Sequence, residues 1–319
     1  MKKIILLPII LGSVLLVGGA AITIMAARRI SNSSGVAHIQ NTYDIEEEFT
    51  SFKAELSTAN YEIKLASDGK VKVECDEKKK QHHDVKVVDN TLQVTLVDER
   101  RWYERWFDWD FRNMQITVYV PEKAYENIDI KVSTGNIKIP NSVSFKNMDV
   151  KASTGNVRVD ADVEEKINIK TSTGDVAFDG VTGKNINVKT STGDISFNNV
   201  EMSGDIVTEC STGSVKLTKT TFTNLDSKAS TGNITLTDSI GSKHIRIKRS
   251  TGSVRFNDSD AETLDIETDT GSVKGTLLTS KVFDVDSDTG KRNYPRGSTA
   301  GGLCRIRTDT GDINIEVKE

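Results

Sequence analysis

A tripeptide, Ser-Thr-Gly or Asp-Thr-Gly, returns ten times from residue 133 onward in this 319-residue chain. Its glycines are Gly135, Gly155, Gly174, Gly193, Gly213, Gly232, Gly252, Gly271, Gly290 and Gly311, and the nine intervals between them run from 19 to 21 residues. A period this constant restricts the chain to a repeat architecture, in which each copy is one supersecondary unit and neighbouring copies share a core. Ser57-Thr58-Ala59-Asn60 reads as a worn copy upstream.

Aligning the copies on the glycine exposes apolar columns. Two residues after it stand Ile137, Val157, Val176, Ile195, Val215, Ile234, Val254, Val273 and Ile313, and apolar residues recur at the fourth. Seven and five residues before it stand pairs such as Ile128 and Ile130, Ile167 and Ile169, or Ile245 and Ile247. Alternation with period two describes strands on both sides of the corner, each with one inward face. A single copy cannot bury that face, but stacked copies can. The predicted fold class is all-β, a parallel β-solenoid of about ten windings of 19–20 residues, or roughly 45–50 Å of rod at one strand spacing per winding. The corner glycine predicts a positive φ. Three residues before it the column is small, from Val132 and Ala152 to Thr308, except at Arg249, which is expected to mark a bulge or an exit to solvent.

Composition agrees. Four prolines and 6% aromatic residues beside abundant Thr, Val, Ile and Asn suit short strands and tight turns. The near-balanced charge, net -4, argues against a dedicated nucleic-acid partner. The three cysteines, Cys75, Cys210 and Cys304, fall at inward positions and predict unbridged buried thiols, with Cys210 and Cys304 about five windings apart.

Four regions follow. Residues 1–29 hold an apolar run, Ile4 to Ala27, flanked by Lys2, Lys3, Arg28 and Arg29. At ~1.5 Å per residue it is long enough to cross a bilayer as a transmembrane helix, with a signal peptide as the alternative. Residues 30–45 read as a flexible spacer. Residues 46–130 form an N-terminal β region with an aromatic segment, and 131–319 form the repeats.

Two surfaces are candidates for partner contact. The outward column four residues before the glycine opens with Lys131, Lys151, Lys170 and Lys189, a ladder that reads first as a solvated face that guards the sheet and, as the alternative, as a stripe suited to an anionic envelope polymer. Trp102, Trp106 and Trp109 share one helical face by their spacing. They read either as a cap over the first windings or as a contact site for a glycan, membrane interface or protein. Asp269, Asp288 and Asp309 carry the aspartic-protease tripeptide, yet each merely replaces the Ser of other copies, so a repeat turn is expected. His82 and His83 lie in the polar run Asp76 to Asp84, which reads as a solvated hairpin tip. No catalytic, cofactor or metal-ligand pattern emerges, and a non-enzymatic protein is expected. Lys291 to Gly302, the longest insertion, is placed to fold over the final winding.

The repeated Ser-Thr-Gly-Asn/Asp-Ile/Val pattern, the preceding Ile116-Thr117-Val118-Tyr119-Val120-Pro121 and the closing Asp309-Thr310-Gly311-Asp312-Ile313 resemble the bacterial putative-adhesin family of β-strand-repeat proteins, over about residues 46 to 319. The family is a domain of unknown function. The resemblance implies a solenoid-like fold in the cell envelope, commonly membrane-anchored in Gram-positive bacteria, and supplies no catalytic residues. The expected function is a membrane-anchored, extracytoplasmic adhesive or structural module. The alternatives are an accessory or sensor of envelope signalling and a polysaccharide-active enzyme on a β-helix scaffold.

Overall fold

The computed structural model of the protein describes residues 39–78, 80–106, 114–297 and 299–318. The expected membrane segment and most of the spacer lie outside these residues, and among the described residues no helix is long and apolar enough to cross a membrane. The chain is an all-β parallel solenoid. A typical winding is a long strand, the Ser-Thr-Gly corner and a short strand, as in β7 (Ala124–Thr134) and β8 (Ile137–Ile139). Long strands pair with long and short with short, in parallel and in register: Lys131 faces Lys151, and Ile137 faces Val157. The expected columns are the core. Every residue two places after a corner glycine that the sequence marked is buried, and Phe178 stacks on Phe197 of the next winding at 5.0 Å and 3°.

The corner glycine answers to a crowding that sequence reasoning put down to turn geometry alone. Gly193 has φ +142°, and a Cβ there would lie 2.1 Å from the carbonyl oxygen of Gly174. Each corner thus rests backbone on backbone. The residue after the glycine completes the contact: Asn136 Oδ1 accepts from the Asn156 amide at 2.9 Å, Asn156 Oδ1 from that of Asp175, and Asp175 Oδ1 from that of Asp194. A second corner, six residues after the glycine, uses the left-handed region at Gly180 (+68°), Asn199 (+51°), Lys219 (+49°) and Asp238 (+49°).

Both ends depart from chain order. At the start, β2 (Ser51–Leu65) is a whole winding in one strand, with Thr58 opposite Thr134, so the worn copy is a true corner. β3 (Val71–Glu77), β4 (Gln81–Val88) and β5 (Thr91–Asp98) follow, then the one-turn helix α1 (Trp102–Trp106) and β6 (Met114–Val120). β5 and β6 build a winding on the far side of β2 from β7 and β8. Antiparallel strands close that end: β4 on β5, β3 on β6, and β1 (Ile39–Ile45) on β3.

At the other end the last winding in sequence is not the last in space. Leu303–Thr310 lies between Thr263–Thr270 and Val282–Thr289, so the spatial order of corners is Gly271, Gly311, Gly290. This corrects the chain-order stack, and it puts Cys210 and Cys304 four windings apart rather than five. The insertion does reach the terminal winding: the Tyr294 ring sits 5.6 Å from that of Phe283, and the Arg292 guanidinium donates to the Ser287 carbonyl at 2.7 Å.

Two more expectations are overturned. Arg249 neither bulges nor exits. It stays in register between Ala229 and Thr268, fully buried, and donates to the Ser227 carbonyl (3.0 Å) and hydroxyl (2.8 Å). Room comes from its neighbours, since Thr208 and Ser227 take inward positions that other windings give to Ile or Val. The run Asp76 to Asp84 is no solvated tip either, because Glu77, Gln81 and His83 are buried inside the antiparallel closure. All three cysteines are buried and free, as the columns predicted.

Candidate functional site

The lysine ladder borders a groove. Lys131, Lys151, Lys170 and Lys189 lie opposite one another on successive long strands. Each projects outward because the residues on either side of it in the strand are buried or nearly so. The small column beside them, Val132, Ala152 and Thr171, leaves a shallow floor, and Ser133, Ser153, Ser172 and Ser191 form the far wall. The groove encloses about 730 Å³ and extends onto β2 and β5 through Glu55 and Thr95.

Its charge is partly balanced by neighbours. Lys131 reaches Glu55 at 3.2 Å, Lys151 reaches Asp149 at 2.8 Å, and Lys189 reaches Glu209 at 2.6 Å. Lys170 forms no ion pair among the described residues. The pairing shows in the titration. Hydrogen bonds from Lys131 and Lys53 hold the Glu55 carboxyl below its ordinary range, and Lys189 does the same to Glu209. All these groups are half exposed, so each pair contributes at most ~1 kcal/mol and yields readily to a competing anion. Four ammonium groups one strand spacing apart, with a row of hydroxyls beside them, can bind a linear polyanion laid along the rod axis.

A second groove of about 500 Å³ lies on the same sheet toward the other end and differs in sign pattern. Asp205, Asp226 and Asp265 alternate there with His244, Arg246 and Arg305. That mixture favours no single charge.

The aromatic segment is only partly described. Trp102 opens α1 and is 72% exposed, with the Tyr103 ring edge-on at 5.9 Å. Lys80 Nζ to Glu104 at 2.6 Å ties the helix to the closure. Trp106 ends the helix, and Trp109 lies outside the described residues. Among the described residues the N-terminal end is covered by β1, β3 and β4. Asp269, Asp309 and Asp288 succeed one another along the edge, one winding apart, as turn residues.

Sequence reasoning missed one cluster. Cys75 and Glu77, alternate residues of β3, and His83 of β4 converge in the closure, with ligand-type atoms within 4.8 Å of one another. The inward alternation Val71, Val73, Cys75 was a readable signal, but the antiparallel fold-back that brings His83 opposite was not.

A family model described as Toastrack DUF4097 matches residues 50–211 and again 208–319. Among solved structures, one described as a "putative adhesin" from Bacteroides fragilis NCTC 9343 is 15% identical, covers 89% of this chain and 98% of its own, and has a TM-score of 0.44. Another so described, from Parabacteroides distasonis ATCC 8503, is 11% identical over 87% of this chain and 97% of its own, with a TM-score of 0.49. A "putative cell adhesion protein" from Clostridium sporogenes ATCC 15579 is 12% identical over 88% of this chain and all of its own, with a TM-score of 0.23. A search of curated proteins found no significant match.

Proposed function

This chain belongs to the Toastrack DUF4097 family, a domain of unknown function, and from that premise we propose that it is a non-enzymatic envelope module that binds a linear anionic polymer along its lysine groove. The groove carries the proposal: four lysines in strict register beside four serines, on a shallow floor that admits an extended chain and holds no deep pocket. In this reading the apolar run Ile4 to Ala27 anchors the protein in the cell membrane as a single pass. The rod then stands on the extracytoplasmic side, where anionic wall polymers are. The neighbours called adhesins are compatible with a binding role but carry no part of the argument.

The test is retention of the full-length protein, in detergent, on immobilised wall teichoic acid. Replacing Lys131, Lys151, Lys170 and Lys189 together by Gln should weaken binding by roughly thirtyfold, about 0.5 kcal/mol for each exposed cation. Retention by the unaltered protein should fall as salt is raised. Equal retention of the variant, or indifference to salt, refutes the groove. The exposed Trp102 favours a second reading, an accessory of envelope signalling that docks a membrane protein. Capture of such a protein, lost in Trp102→Ser and kept in the lysine variant, would support that reading instead.

A further inference from the structure

The antiparallel closure of the N-terminal end buries charge in a way that the groove does not explain. Glu77 is 2% exposed, His83 2% and Cys75 0%. The Glu77 carboxylate accepts from Asn41 Nδ2 (2.5 Å), from Tyr43 Oη (3.0 Å) and from the His83 amide (2.7 Å). Its only ion-pair partner among the described residues is His83, whose Nδ1 is 3.2 Å away. Among the described residues no Lys or Arg pairs with it. A buried anion without a cation is costly even when its hydrogen bonds are satisfied. The second nitrogen, His83 Nε2, is buried with no hydrogen-bond partner among the described residues, although buried imidazoles normally satisfy both nitrogens. An uncompensated carboxylate, a starved imidazole and a thiol within 4.8 Å of one another are unexplained as packing.

We propose that Cys75, Glu77 and His83 form a binding site for one divalent transition-metal ion of the zinc type. Thiolate, imidazole and carboxylate are its three usual protein donors, and a sulfur ligand selects against calcium and magnesium. The charges close: a dication meets the Glu77 carboxylate and the Cys75 thiolate, and His83 binds as neutral imidazole. On binding, the Cys75 S–H bond breaks, its proton passes to solvent and a metal–sulfur bond forms. The hydrogen bonds from Asn41 and Tyr43 orient the carboxylate from behind, as outer-sphere partners do. These residues come from β1, β3 and β4, so the ion would pin the strands that close the open end of the solenoid.

The experiment uses untagged full-length protein, stripped with a chelator and titrated with Co²⁺ and then Zn²⁺. One equivalent of Co²⁺ should bind with a thiolate-to-cobalt charge-transfer band that Zn²⁺ displaces. Zn²⁺ in hundredfold excess over its Kd should raise the melting temperature by roughly 5 °C. Cys75→Ser and His83→Gln should abolish the band, while Cys210→Ser and Cys304→Ser keep it. Should the first two variants fail to fold, X-ray absorption of the zinc-loaded unaltered protein decides: one sulfur at about 2.3 Å with nitrogen and oxygen neighbours is expected. No stoichiometric uptake, a shell without sulfur, or a band that survives Cys75→Ser overturns the site.

Discussion

Two kinds of glycine share this repeat for different physical reasons. Gly193 cannot carry a Cβ because the carbonyl of Gly174 occupies that place, 2.1 Å away. Gly180 meets nothing within 4 Å and is used only for its φ of +68°. Asn199 adopts the same turn one winding later at +51°. Gly193→Ala should therefore cost about 2–5 kcal/mol, from the unfavourable backbone and the forced separation of two windings. Gly180→Asn should cost less than about 1 kcal/mol. Denaturant unfolding of both variants checks the pair, and equal costs would mean that the corner is a matter of φ alone. The sequence made the first glycine legible because it recurs in all ten copies from residue 133 onward, with Ala59 in its place only at the worn copy. The second corner is filled by Gly, Asn, Lys and Asp in turn, and no column shows. Arg249 was misread for a related reason. A lone cation in a small column suggests escape to solvent, whereas Thr208 and Ser227 had already shrunk and polarised the interior around it.

At the scale of elements, charge explains why the last two windings exchange places. In chain order, Glu267 would lie against Asp286 and Asp265 against Asp284. In the observed order Arg307 stands between Glu267 and Asp286, and Arg305 between Asp265 and Asp284. Both arginines then bond Asp284, Arg307 at 2.8 Å and Arg305 at 3.4 Å, and Arg307 in particular keeps that carboxyl below its ordinary range. Like charges directly opposite destabilise a strand pair and opposite charges support it. Arg305→Glu with Arg307→Glu removes the preference. Amide exchange in Val282–Thr289 and Leu303–Thr310 should then quicken at least tenfold while Ile186–Thr192 is unchanged. Uniform protection would show that apolar packing sets the order unaided. The alternation of sign was present in the sequence, but alignment on the glycine compares copies only in chain order and so hid it. The winding of β5 and β6 escaped the same search because residues 99–113 replace its corner tripeptide.

A solenoid is nearly one-dimensional, its stability a sum over windings and the interfaces between them, so the exchanged order fixes what each stretch of chain can do by itself. Among the described residues Val282–Thr289 has one strand neighbour, Leu303–Thr310, and no strand pairs with its other edge. Until that later segment is in place, the earlier one has only Thr263–Thr270 to dock on, with acid facing acid. A chain ending at Gly290 should therefore gain nothing over one ending at Leu277. The two should melt within about 2 °C of each other, and residues 282–289 of the longer should exchange their amides as an unfolded segment does. In the full chain the same amides should be protected, and their protection should appear no earlier than that of Leu303–Thr310, the strand they dock on. If instead the chain ending at Gly290 protects residues 282–289, that winding docks in chain order when nothing competes. The final winding would then have to displace it, and the C-terminal end would be built by strand invasion rather than by docking in spatial order.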